Sequence, residues 1–87
     1  MKKIKMKITQ TKTQYNCSDL YVAAFLLANG LELAAVDRTD RKRAVFVFND
    51  SEDREGLLAD FWSKQASVEP RSFIAAIKEA KERLYAG

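Results

Sequence analysis

From Lys3 to Ile8 lysine alternates with apolar residues, and a period of two is the spacing at which a strand sends successive side chains to opposite faces. The pattern predicts a strand over 3–9, with Ile4, Met6 and Ile8 on one side and Lys3, Lys5 and Lys7 on the other. Lysines so placed keep an edge strand from pairing with a foreign chain. Thr9 to Gln14 is polar and reads as a connector. Asn16 and Ser18 then offer side-chain oxygens for an N-cap, and Asp19 suits the positive end of a helix dipole. The helix that begins near Ser18 runs through Leu20 to Ala28 and stops at Asn29-Gly30, because glycine takes the left-handed conformation that closes a helix. This helix is apolar on nearly every side, so it lies between other elements or is partly covered by a second subunit.

Leu31 to Asp37 and Ala44 to Phe48 have strand composition and flank the polar run Arg38 to Arg43, which predicts an antiparallel hairpin. In the second arm Val45 and Val47 face one way and Ala44, Phe46 and Phe48 the other, so the strand needs cover on both faces and is expected to be central. Asn49-Asp50-Ser51 then caps a helix from Glu52 to about Lys64, with Leu57, Leu58, Phe61 and Trp62 as its core-facing stripe. Gly56 inside it costs about 1 kcal/mol relative to alanine, which suggests close packing or a loosely formed first turn. Pro70 opens a third helix, with Phe73, Ile74, Ile77 and Leu84 as the buried stripe and Glu79–Arg83 as an outer i,i+4 pair. The order is β-α-β-β-α-α, an α+β fold in which a small, mostly antiparallel sheet packs against three helices.

Eighty-seven residues suit a single domain over 1–87. At that size hydrophobic gain and ordering entropy nearly cancel, so pairing with a second copy is a natural source of further stability and a homodimer is expected. The single cysteine forms no intramolecular disulfide and the first residues lack the apolar run of a signal peptide, which points to the cytoplasm. Leu20 to Ala28 is about half the length of a membrane span, so no membrane is expected.

The chemistry is bounded first by an absence: the chain has no histidine, the side chain most used for proton transfer near neutral pH and for binding metals. The glycines at 30, 56 and 87 are too scattered for a phosphate-cradling loop. No catalytic residue, metal or cofactor is therefore expected. Cys17 at a helix N-terminus has the placement of a stabilised thiolate, but without a histidine it reads better as a small, partly buried side chain. The run Asn49-Asp50-Ser51-Glu52-Asp53 gathers oxygen ligands without matching a calcium loop, and helix capping accounts for it.

The more suggestive pattern is basic. Fifteen lysines and arginines against twelve acids give +3, with Lys3, Lys5 and Lys7 in the first strand and Arg38, Arg41, Lys42 and Arg43 around the hairpin loop. If strand and loop share a face, they form a surface that contacts phosphates without reading sequence; the alternative is a solvated face that also holds Asp37 and Asp40. Phe46 and Phe48 have the i,i+2 spacing of a base-stacking platform, but a chain this small needs those rings in its core. Tyr15, Tyr21 and Tyr85 are better suited to surface or interface work.

The run Ser18-Asp19-Leu20-Tyr21-Val22-Ala23-Ala24-Phe25-Leu26-Leu27-Ala28-Asn29-Gly30, followed by Val45-Phe46-Val47-Phe48, Phe61-Trp62 and the helix from Phe73 to Leu84-Tyr85, resembles a family of short, uncharacterised bacterial and phage-encoded domains. The resemblance covers about residues 15–85, leaving 1–14 as a basic N-terminal strand and connector. It implies an autonomous domain of bacterial or mobile-element origin and transfers no activity.

Two functions are expected on these grounds. One is a non-catalytic protein-interaction module, self-associating or binding another protein through Tyr21, Phe25 and Tyr85. The other is a small basic domain that binds DNA or RNA through Lys3, Lys5, Lys7, Arg38, Arg41, Lys42 and Arg43. A pocket for a small anionic ligand is a third arrangement the charges permit.

Overall fold

The computed structural model describes residues 13–40 and 42–86. Its elements are β1 (Gln14–Cys17), α1 (Leu20–Ala28), β2 (Leu33–Asp37), β3 (Val45–Asn49), α2 (Arg54–Trp62) and α3 (Pro70–Tyr85). This is the expected α+β order, but the leading strand is Gln14–Cys17, in a stretch read from sequence as connector and helix cap. The strand expected over 3–9 lies outside the described residues. In β1 only Tyr15 and Cys17 turn inward, and two apolar positions are too few to make an alternation stand out.

Both neighbours of β3 pair with it antiparallel, giving the order β1-β3-β2. β3 is central, as its two-sided apolar pattern requires. Tyr15 and Leu33 sit opposite Phe48, and Cys17 and Val36 opposite Phe46, so these residues share the inner face. Phe46 and Phe48 are almost wholly buried there, which makes them core residues and removes them as stacking platforms. A bulge between Leu33 and Ala35 interrupts the β2 register and turns Ala34 and Ala35 both outward.

α1 lies inside the monomer. Ala23, Ala24 and Leu26 have no exposed surface, and Val22 and Phe25 almost none, because α3 packs along the helix and α2 and β1 cover other parts of it. Its N-cap is Asp19, whose Oδ1 accepts from the N–H groups of Tyr21 at 2.8 Å and Val22 at 3.2 Å. Asn16 instead lies in β1 opposite Val47. At the other end Gly30 has φ +94°; its N–H donates to Leu27 O at 3.0 Å and that of Leu31 to Leu26 O at 3.1 Å. This is the Schellman closure, with buried Leu31 and Leu26 as its hydrophobic pair.

α2 closes in the same way, with Lys64 at φ 66° and bonds from Lys64 N to Phe61 O and Gln65 N to Asp60 O. Of its expected stripe only Leu58 is fully buried, and Trp62, on the last turn, is 65% exposed. Gly56 is exposed and a Cβ there would meet nothing within 4 Å, so close packing does not explain it. In α3, Pro70 stands at the first turn and Glu69 is the N-cap, its Oε1 accepting from Ser72 N at 2.8 Å. The buried positions are Ala76 and Ala80; Ile74, expected inside, is 52% exposed. Alanines let two helices approach closely, and that pulls the seam one step round from Ile74.

Candidate functional site

Asp37 and Asp40 shape the loop that leaves β2. Asp37 Oδ1 accepts from Thr39 N at 2.9 Å, and this residue's hydrogen bonds, with the Thr39 hydroxyl first, hold its carboxyl below the usual range. Asp40 Oδ1 accepts from Lys42 N at 2.9 Å and its carbonyl from Arg43 N at 3.2 Å. These bonds fix the backbone of Lys42 and Arg43, while their side chains form no ion pair among the described residues.

Arg38 has a different job. Its Nη1 donates to the carbonyl of Leu84 and, at 3.4 Å, to that of Arg83. A cation at the last carbonyls of a helix satisfies unpaired acceptors and complements the helix dipole. In the opposite direction Arg83 Nη2 donates to Leu33 O at 3.4 Å, so the two arginines tie α3 to β2. Arg83 is used in this way, and no Glu79–Arg83 ion pair forms.

The tie brings the end of α3 beside the hairpin loop and opens a cleft of about 600 Å³ lined by Arg38, Asp40, Lys42, Arg43, Leu84 and Tyr85. Three cations face one carboxylate, with Tyr85 78% exposed at the rim. Arg43 also walls a second cleft of about 510 Å³, whose lining includes Tyr15, Cys17, Asp19, Val22 and Trp62. The two clefts therefore adjoin at Arg43.

Trp62 belongs to a packed series of rings. Phe25 and Phe61 have centroids 5.1 Å apart, and Phe61 meets Trp62 edge-on at 5.0 Å and 90°. Edge-to-face geometry at this distance is favourable and directional, so the exposed indole is held from below by rings rooted in the core. Sequence periodicity assigned Trp62 to the core stripe; its position on the final helical turn is the signal that could have placed it at the edge.

Of the basic residues singled out in the sequence, Arg38, Lys42 and Arg43 come together in the first cleft. Lys3, Lys5, Lys7 and Arg41 lie outside the described residues. The interface candidates separate: Tyr21 and Tyr85 are exposed at 54% and 78%, but Phe25 is 3% exposed and packs on Phe61, so it presents no surface to a partner. α1 is covered within the monomer and needs no second subunit to shield it.

Cys17 ends β1 with its side chain buried, and its Sγ donates to Asp19 O at 3.4 Å. Burial pushes its pKa up, so at neutral pH it is a thiol and not the thiolate a reactive cysteine needs. The acidic loop is internally satisfied. Arg54 clasps Asp50 with Nε–Oδ1 at 3.0 Å and Nη2–Oδ2 at 3.1 Å, and its guanidinium lies 4.3 Å from the centre of the Tyr15 ring. Ser51 Oγ accepts from Asp53 N at 3.1 Å, whereas Asp53, at the N-cap of α2, makes no side-chain cap bond. Among the described residues no three acidic or thiol groups converge as a metal ion would need, and no helix is long and apolar enough to cross a membrane.

The family model for DUF5659, a domain of unknown function, matches residues 12–86. The chain belongs to that family. The match takes in the six elements found among the described residues and both clefts. No curated protein and no solved structure matches the chain.

Proposed function

We propose that this DUF5659 domain is a non-catalytic binding module whose ligand is nucleic acid, held through its phosphates by Lys42 and Arg43 with Arg38 behind them. The observation that carries the reading is the shared cleft. Three cations that sequence could place only in a loop line one open surface on which Asp40 is the single carboxylate among the described residues. Charges on such a surface attract a polyanion without reading its bases. The absence of histidine and the buried, neutral thiol of Cys17 agree with a role that involves no bond making. A cytoplasmic location and a bacterial or phage origin complete the proposal, the latter resting on the Ser18 to Gly30 run.

Mobility-shift titrations at low salt with single- and double-stranded DNA and RNA test it. Binding should appear and should weaken steeply as salt is raised; the K42Q/R43Q variant should bind much less tightly while folding normally. No shift with any of the four probes would end the reading.

Self-association is the second reading, favoured by the exposure of Tyr21, Trp62 and Ile74. Sedimentation analysis decides it: a strict monomer at high concentration contradicts it.

A further inference from the structure

We infer that the nucleic acid this surface takes is single-stranded, with bases stacked on Trp62 and Tyr85 and the intervening backbone held at Arg43. The inference rests on the nucleic-acid reading above and adds which form of nucleic acid fits.

Among the described residues Arg43 is the only one common to the linings of the two clefts. Tyr85, 78% exposed, lines the first cleft with it, and Trp62, 65% exposed, lines the second. Aromatic rings interleaved with cations along a groove form the arrangement that binds single strands, because every base has a π-face and every linkage a negative charge. A duplex keeps its bases stacked inside and offers only its phosphate surface to such rings.

The Trp62 ring is held in place before any ligand arrives. Trp62 is seated edge-on against Phe61, which is seated on the buried Phe25. Tyr85 follows directly on Leu84, whose carbonyl accepts from Arg38. The ordering cost at Trp62 is thus met largely by the fold, as a stacking platform requires. Asp40 in the first cleft and Asp19 in the second oppose a phosphate. Asp19 Oδ1, however, is engaged by the Tyr21 and Val22 N–H groups, and Asp40 Oδ1 by Lys42 N.

Trp62 is the single tryptophan of the chain, so its fluorescence reports on one position. The full-length protein is titrated at low salt with a short oligothymidylate, an oligouridylate and a duplex of matched length, following Trp62 emission and, separately, anisotropy of labelled probe. Single strands are expected to quench Trp62 and to bind at least about tenfold tighter than duplex. Trp62→Ala and Tyr85→Ala should each weaken single-strand binding by about 5- to 150-fold, the range that loss of one base-stacking ring produces. Quenching in the unmodified protein needs no variant, so the test stands even if one substitution disturbs folding.

Duplex binding as tight as single-strand binding with Trp62 emission unchanged overturns the inference and leaves the nucleic-acid reading intact. No binding by any probe removes both. Trp62 emission that responds to dilution of the protein alone and not to oligonucleotide assigns the rings to self-association, and likewise overturns it.

Discussion

Replacing Arg54 with methionine should remove two contacts while keeping much of the apolar stem. The guanidinium holds Asp50 through two hydrogen bonds of 3.0 and 3.1 Å and lies 4.3 Å from the Tyr15 ring centre. It thereby fastens edge strand β1, four residues long, to the first turn of α2. The two side chains are 26% and 14% exposed, so the pair is partly screened and is worth about 0.5–1 kcal/mol. The cation–π contact adds about 0.5–1 kcal/mol. The loss of roughly 1–2 kcal/mol corresponds to a fall of about 5–15 °C in Tm for a domain of this size. Urea denaturation of Arg54→Met, Tyr15→Leu and the double variant gives the Arg54–Tyr15 coupling directly.

The same pair predicts a pH effect. The hydrogen bonds from Arg54 come first among the causes that hold the Asp50 carboxyl below its ordinary value, with burial opposing. A carboxylate whose pKa is depressed by folding stabilises the fold above its unfolded pKa of about 3.9, and that stabilisation is lost as pH falls through the folded value. Stability of the unmodified protein should therefore fall more steeply below about pH 4 than that of Arg54→Met. Equal stability at neutral pH together with parallel acid limbs would refute the clamp.

Other substitutions test the backbone and the core. Gly56→Ala should stabilise by about 0.5–1 kcal/mol, read by thermal melting, because the added Cβ meets nothing within 4 Å. Gly30→Ala should destabilise by about 1 kcal/mol, the left-handed penalty of about 1–2 less the entropy gained. Lys64→Gly should stabilise by about 0.5 kcal/mol on the same reckoning with the signs reversed; a stabilising Gly30→Ala or a destabilising Lys64→Gly would contradict the paired Schellman closures. Phe48→Ala should cost about 3–5 kcal/mol in chemical denaturation, since the ring is fully buried on the central strand.

Much of this fold is written in local chemistry. Phe46 and Phe48 alternate with valines, and that alone made β3 central; Gly30 and Pro70 marked a helix end and a helix start that the structure has. The two helix closures show where legibility stops. Gly30 announced one, but the same geometry at Lys64 was invisible, because lysine has no preference for the left-handed conformation that would mark the position in the sequence. Ile74 and Trp62 were placed inside by spacing, yet alanines at 76 and 80 set the α3 seam and Trp62 fell past the end of the core. The cations of the loop could be read as a group. Their meeting with Tyr85 could not, because it depends on Arg38 reaching the carbonyls of α3 across 46 residues of chain.

The salt dependence of single-strand binding, measured by anisotropy for the unmodified protein and K42Q/R43Q, tests the central claim most directly. Each phosphate contact on a single strand contributes a slope of about −0.7 in log K against log salt. Loss of Lys42 and Arg43 should therefore make the slope shallower by about 1.4 and weaken binding at low salt. An unchanged slope and affinity in that variant would mean that the hairpin cleft does not hold the phosphates.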